Sequence, residues 1–374
     1  MFPAATHRGG VERAVWEALR HLGARHPTTF VGTELDAPEL LPPVVHVRPD
    51  LPRWGVGALR PAAFRTAARA AVARDAGATT MSFGVNAPAG DVLVVNSLHR
   101  SWLQVGQPVE LRGVRVPNAA RYALPRHHVL LALEWSYFTR SDPRAVVAVS
   151  ARVGEELTEL YGVDPALVRV VHNGFDPEQC NPERRATKRD ECRHALGIGD
   201  DAVVLLFVAN ELHRKGLGVL LDAVASVDDA RLEVHVVGRT PLDDYAEQII
   251  TLGLQARVIY HGPVADIGVA HAFADALVLP TQYEAFALTV VEALASGLPV
   301  ITTTVPGAGD LIDDGVNGLL LHDPTDVEEL TALLARVGDA GTRARWSGAA
   351  AGSVAGLDWP TLMGAYEATL LAAR

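Results

Sequence analysis

Short apolar runs alternate with stretches of helical spacing along nearly the whole chain. A strand covered on both faces reads as a continuous apolar run, and strands alternating with helices argue for parallel α/β sheets. In the first half the runs Thr28–Val31, Val44–Val47, Val92–Asn96, His128–Leu133 and Ala145–Val149 predict strands. In the second half Val203–Val208, Leu232–Val237, Arg257–Tyr260, Ala276–Leu279, Val300–Thr303 and Gly318–Leu320 do so. Helices are predicted between them over 11–24, 151–161, 216–226, 243–252, 287–296 and 326–337. At 374 residues the chain is long enough for two domains with full cores.

The break between the two falls at Val168-Arg169-Val170-Val171-His172-Asn173-Gly174-Phe175-Asp176, where a strand runs into the turn signal Asn-Gly. The polar stretch 177–201 follows and a new sheet begins at Val203, and Leu357 to Arg374 reads as a last helix. No apolar run approaches the roughly 18 residues of a membrane helix. The first residues lack the charged start and apolar middle of a signal peptide. Two cysteines, Cys180 and Cys192, give no disulfide framework and no metal cluster, so a cytoplasmic location is expected.

The net charge of −11 is unevenly spread. Residues 1–150 hold 17 Arg against 11 acids, a balance of +6, and 16 basic against 33 acidic residues leave −17 on 151–374. No basic cluster is interleaved with aromatics, which argues against nucleic acid. Arg60, Arg65, Arg69 and Arg74 lie on an Ala-rich stretch that reads as a helix. Such a face is ordinarily solvated, and it is also suited to an anionic membrane surface or an anionic acceptor.

The most informative segment runs from Pro280 to Val300. A buried strand closes at Pro280, Thr281 to Ala285 forms a loop at its carboxyl end, and Ala287 to Ser296 reads as a helix stopped by Gly297 and Pro299. Glu284 then lies just before the helix and Glu292 about two turns into it. Amides from roughly Phe286 to Thr289 lack helical partners and make an anion site. Ligands of open α/β sheets bind at such strand ends. A phosphate on the helix terminus with a carboxylate on either side suits a sugar nucleotide, whereas two Glu at this spacing alone would read as solvated surface residues.

In this context the pattern Glu, seven residues, Glu resembles the retaining glycosyltransferases of family 4, which have the GT-B fold. The resemblance implies two Rossmann-like domains facing each other across a cleft, here 1–172 for the acceptor and 173–356 for the nucleotide-sugar. It also implies a C-terminal helix, 357–374, packing back on the first domain. In that family the first Glu meets the donor sugar and the second the ribose, which carries over to Glu284 and Glu292. The loop Gly9-Gly10 before Val11-Glu12-Arg13 resembles the family's first loop, near diphosphate and acceptor; Gly-Gly alone would mark a plain turn. The family normally opens with a hydrophobic strand before that loop. Here Met1-Phe2-Pro3 stands almost inside it, so that strand is absent, very short, or encoded upstream of Met1.

Arg214 and Lys215 follow the strand Val203–Val208 and can neutralise the diphosphate of a departing nucleotide, where charge builds in the transition state. Lys215 matches the family's donor-phosphate Lys. The family's Arg directly after the strand is replaced by Ala209 and Asn210, with Arg214 as its substitute. By resemblance His99, after Val92–Asn96, sits close to the donor sugar, while His127 and His128 read as structural. Gly238 is a strand-end glycine where backbone approaches the nucleotide, and the segment ending in Val264 resembles the one that holds the base edge. Asp310 and Gly315 to Gly318 read as structural.

No Asp-x-Asp occurs, nor Gly-x-Gly-x-x-Gly, a P-loop or Gly-x-Ser-x-Gly, so metal-dependent transferase, dehydrogenase, NTPase and esterase readings lose their main support. The expectation is a retaining hexosyltransferase with a nucleotide-sugar donor, preferably UDP-linked, and no obligatory metal or other cofactor. The acceptor is a glycan, a lipid-linked sugar or a small molecule. His99, Lys215 and Glu284 are the expected catalytic residues. Gly9, Gly10, Arg214, Phe286, Ala287, Leu288, Glu292, Gly238 and Val264 are the expected binding residues. A sugar-nucleotide epimerase of the same fold and a non-catalytic nucleotide-sugar-binding protein are the alternatives.

Overall fold

The computed structural model describes residues 1–374 apart from 7–9, 38, 40, 53–56, 75–76, 105–108, 112–113, 117–123 and 306, and the side chains of 109–111 and 114–116. The chain divides into two compact units, Met1–Asn173 together with Trp359–Arg374, and Gly174–Asp358.

The first unit contains β1 (Ala4–Ala5), α1 (Gly10–Gly23), β2 (Thr28–Val31), β3 (Glu34–Leu35), β4 (Val44–Val47), α2 (Arg60–Val72), β5 (Met81–Phe83) and β6 (Val92–Val95). It continues with α3 (His99–Gln104), β7 (Val109–Leu111), β8 (Val114–Val116), α4 (Pro125–Thr139), β9 (Ala145–Ala148), α5 (Ala151–Tyr161) and β10 (Val168–Val170). A parallel sheet has the order β10-β9-β6-β5, beside the parallel pairs β1-β3 and β2-β4 and the antiparallel pair β7-β8. Buried Val92 to Val95 and Val146 to Ala148 form its centre. The C-terminal helix Trp359–Ala372 packs within this unit: Tyr366 stacks on Phe83 at 6.3 Å, and Glu367 is within 2.8 Å of His21 and 2.6 Å of His26.

One expectation is corrected. His128–Leu133 is not a strand but lies inside α4, which starts at Pro125 and continues to Thr139. A short apolar run does not distinguish a buried strand from part of a helix, and here the pattern continues through buried Tyr137 and Phe138. The polar stretch 177–201, for which no element was predicted, holds a helix, Pro182–Leu196, capped by the Asn181 side chain on the Arg184 amide at 2.8 Å and ended by left-handed Gly197. It docks through arginines rather than an apolar stripe. Arg185 donates to the His271 and Ala274 carbonyls, Arg189 pairs with Asp275 at 2.7 Å, and Arg193 reaches the Phe273 carbonyl and Asp275.

Of the four arginines, Arg60, Arg65 and Arg69 lie on α2 and Arg74 follows its end, and they do not form one solvated row. Arg65 turns inward, donating to the Leu133 carbonyl at 3.1 Å with its guanidinium 5.6 Å from the Tyr137 ring centroid. Among the described residues no helix is long and apolar enough to cross a membrane.

The second unit holds that helix as α6, then β11 (Val203–Val208), α7 (Leu217–Ser226), β12 (Leu232–Val237), α8 (Ala246–Thr251), β13 (Val258–Gly262), α9 (Ile267–Phe273) and β14 (Ala276–Leu279). It ends with α10 (Leu288–Ala295), β15 (Val300–Thr303), β16 (Gly318–Leu321), α11 (Val327–Val337) and α12 (Ala340–Ala350). All six strands are parallel, in the order β13-β12-β11-β14-β15-β16. The order reverses direction at β11, so the carboxyl ends of β11 and β14 flank a topological switch point, where open α/β sheets take ligands. Phe175 forms a bridge with Asp358, so this unit's two ends lie together.

Candidate active site

The loops after β11 and β14 are laced together. Gln282 donates its amide to the Arg214 carbonyl at 3.0 Å. Gly216 (φ +84°) packs against Pro280, whose carbonyl oxygen would lie 2.2 Å from any Cβ placed there. Glycine is therefore the residue that permits both the left-handed turn into α7 and this approach. Behind the second loop, Gly307 accepts from the Ala287 amide at 2.9 Å and Asp310 accepts from the Gly307 amide at 2.9 Å.

This lacing brings Glu284, Lys215 and Arg214 together. Glu284 is buried, and the Lys215 ammonium contacts its Oε1 directly. Arg214 stands 3.8 Å from the same oxygen, donates to the Tyr283 carbonyl, and pairs with Glu211 at 2.5 Å. Thr281 Oγ1 donates to Glu284 at 3.3 Å. Burial and then the Arg214 charge push the Lys215 ammonium well below its ordinary pKa, against the opposing pull of Glu211. The arrangement is a compact cationic group held against one buried carboxylate at a strand-end loop, with no aliphatic side chain between them.

The first turn of α10 is partly as expected. Its N-cap is Ala287, which offers no capping side chain. However, the Ala287 amide bonds to the Gly307 carbonyl and the Leu288 amide to the Phe286 carbonyl at 3.2 Å, so these two of the expected anion-binding amides are already engaged. The tight entry loop takes them. Thr289 Oγ1 is buried at this turn and makes no hydrogen bond among the described residues. Phe286 packs against the unit's core. Glu292 is half-buried and close enough to Cys180 that, after burial itself, its charge raises the thiol pKa.

Gly238 follows β12, donating to the Gly262 carbonyl at 3.1 Å and lying against the Ala209 carbonyl, where a Cβ would come within 1.9 Å. Its neighbour Arg239 is held by Asn210 Oδ1 at 2.9 Å. Val264 is half-buried against the same core. Gly10 begins α1 and is exposed, while Gly9 lies outside the described residues.

In the first unit His99 opens α3. Its ring stacks on Trp102 at 5.5 Å, and its Nε2 is 3.0 Å from His127 Nδ1. Burial, then the neighbouring His127 and Arg126, lower its pKa to about 4, so the ring is neutral at physiological pH. Sequence reasoning left His127 as structural; it is buried and directly partners His99.

Sequence reasoning also missed Glu134. Its carboxylate accepts the amides of His99 at 2.5 Å and Arg100 at 3.0 Å, together with the Tyr161 hydroxyl. It thereby fixes the start of α3. A single acid inside the apolar run Leu130 to Phe138 was the available signal. Asn96, just after β6, accepts from Asn173 Nδ2 at 3.2 Å, leaving Asn96 Nδ2 and Asn173 Oδ1 buried without partners among the described residues. Buried orphan polar atoms are rare enough to mark a place for a ligand or water.

The sequence pattern of glycosyl transferases group 1 matches residues 202–339, and that of glycosyltransferase family 4 matches residues 8–179. The D-inositol 3-phosphate glycosyltransferase of Geodermatophilus obscurus is 32% identical over 376 aligned positions, covering 89% of this chain and 79% of that protein. The chain belongs to glycosyltransferase family 4.

This family 4 chain is also 31% identical to D-inositol 3-phosphate glycosyltransferase 1 of Catenulispora acidiphila, covering 89% of the chain and 84% of that protein. An uncharacterized glycosyltransferase of Methanocaldococcus jannaschii is 26% identical over 190 residues, and there the chain spans about half (49%) of the relative's length. Among solved structures, WaaG, a glycosyltransferase involved in lipopolysaccharide biosynthesis, superposes with TM-score 0.84 at 20% identity over 99% of this chain and 98% of that one. HepE of Anabaena in complex with UDP and glucose gives 0.71 at 21% identity, covering 99% and 98% of the two chains. These likenesses give the fold, which is GT-B.

Proposed function

We propose that this glycosyltransferase moves a hexose from a UDP-sugar to an acceptor hydroxyl with retention of anomeric configuration and without an obligatory metal. The observation that carries the reading is the buried contact of Glu284 with Lys215 at the carboxyl ends of β14 and β11, beside Arg214. Two cations at this point offset the charge that develops on a departing diphosphate, which is the largest electrostatic demand of the reaction. Glu284 then orients the donor sugar, and Glu292 accepts from the ribose. The acceptor hydroxyl enters on the face the leaving group vacates, and a phosphate oxygen takes its proton. His99, neutral at working pH, hydrogen-bonds a substrate hydroxyl. HepE, known in complexes with UDP and UDP-glucose, supports the choice of UDP.

The relatives named for D-inositol 3-phosphate make that compound the first acceptor to try. The test incubates the purified chain with UDP-, GDP- and dTDP-sugars and this acceptor, with and without EDTA, and follows anomeric configuration by NMR. Retained product from a UDP-sugar, unchanged by EDTA, is expected. Inverted product, or transfer only with added metal, would overturn the proposed chemistry.

A further inference from the structure

Three side chains of the first unit form a hydrogen-bonded row whose proton positions are dictated from one end. Arg126 Nε donates to His127 Nε2 at 3.3 Å, and His127 Nδ1 stands 3.0 Å from His99 Nε2. A guanidinium has only donors and keeps its charge. His127 Nε2 must therefore bear a lone pair, and the ring is neutral. A neutral imidazole carries its one proton on the other nitrogen, so His127 Nδ1 donates and His99 Nε2 accepts. By the same rule the proton of neutral His99 sits on Nδ1, which makes no hydrogen bond among the described residues.

The surroundings hold this arrangement in place. The two imidazole planes lie 21° apart with centroids at 5.1 Å, so the in-plane N–H of one ring meets the in-plane lone pair of the other. His127 stands in the first turn of α4, two residues after Pro125, where the helix dipole opposes a protonated ring. Trp102 stacks on the His99 ring with planes 16° apart, and Glu134 holds the His99 amide. Orientation and tautomer of His99 are thus fixed together.

We propose that Arg126 and His127 are positioning residues that present His99 to the substrate as a hydrogen-bond donor through Nδ1–H. This rests on the reading of His99 as a substrate contact and adds the direction of that bond. Nδ1–H recognises an oxygen lone pair, on a sugar hydroxyl or on an oxygen that gains negative charge in the transition state. It has no lone pair with which to take a proton, so His99 is not the base of the transfer.

Ring-nitrogen NMR of the full chain labelled in histidine, at neutral pH or slightly above, reads which nitrogen of His99 is protonated and needs no substrate. The His99 signals are assigned by their loss in His99→Gln. Nδ1–H is expected in the parent and in His127→Asn, whose amide still donates at the place of the lost Nδ1. His127→Asp offers only acceptors there. It should move the His99 proton to Nε2 and lower kcat by about tenfold or more, with a smaller loss in His127→Asn. Arg126→Met, at an exposed position, should leave a mixture of the two tautomers. His99 protonated on Nε2 in the parent, or unmoved by His127→Asp, overturns the relay. Tautomers that move as expected while kcat stays constant would strike the substrate contact of His99, and the donor role with it. The spectra judge the relay and the kinetics judge the contact.

Discussion

The Lys215 ammonium meets the Glu284 carboxylate although the two come from loops after different strands, β11 and β14. Both lie in a largely buried place, Lys215 keeping 13% and Glu284 7% of its side chain exposed, and Glu284 without Lys215 would be left with only the more distant Arg214 and the Thr281 hydroxyl.

Removing one partner should therefore affect both stability and chemistry. Glu284→Gln or Lys215→Ala is expected to cost about 3 kcal/mol and to lower kcat by about 10²-fold or more. Denaturant unfolding and steady-state kinetics check this. Full transfer activity in both variants would show that the pair is not the donor site.

His99 should titrate near 4. Its folded-state pKa lies below the ordinary 6.5, so its contribution to stability is present above about 6.5 and is lost as pH falls toward 4. Ring-proton NMR measures the midpoint directly. His127→Phe should move it upward while retaining most of the burial, and a midpoint that stays unmoved would remove His127 as a cause.

Glu134→Gln should loosen the start of α3, because a neutral amide presents only one oxygen to two backbone amides and the Tyr161 hydroxyl. We expect a loss of about 2 kcal/mol, against about 1 kcal/mol for Tyr161→Phe. Thermal unfolding distinguishes the two, and equal losses would mean that Tyr161 carries the contact.

Gly216→Ala places a Cβ 2.2 Å from the Pro280 carbonyl oxygen at a left-handed position. It is expected to destabilise by more than about 1 kcal/mol and to reduce transfer by displacing the loop that carries Glu284. A variant as stable and active as the parent would show that the two loops do not constrain each other.

Much of the second unit was legible because its strands are buried on both faces. Val203–Val208, Leu232–Val237 and Ala276–Leu279 occur where the apolar runs predict them. The strand-end placement of Lys215 and Glu284 was legible because each follows an apolar run, Val203–Val208 or Ala276–Leu279, whereas their direct contact was not. The failures share a cause. Helix α6 is held by arginines reaching carbonyls, and α4 contains an apolar run too short to show its period, so hydrophobic spacing was uninformative at both. The His99–His127 contact and the Glu134 cap depend on where α3 and α4 meet, which residue spacing along the chain does not encode.

The bridge between Phe175 and Asp358, with the Phe175 amide on the Leu357 carbonyl at 3.1 Å, makes residues 174–358 an insertion whose entrance and exit share one doorway. Topologically the first unit is the host and the second a guest cassette. A single exchange of the coding segment between relatives would transplant the guest whole, without splitting a sheet or a core. Expressed alone, 174–358 should unfold as one cooperative domain, and donor preference should travel with it into a foreign host.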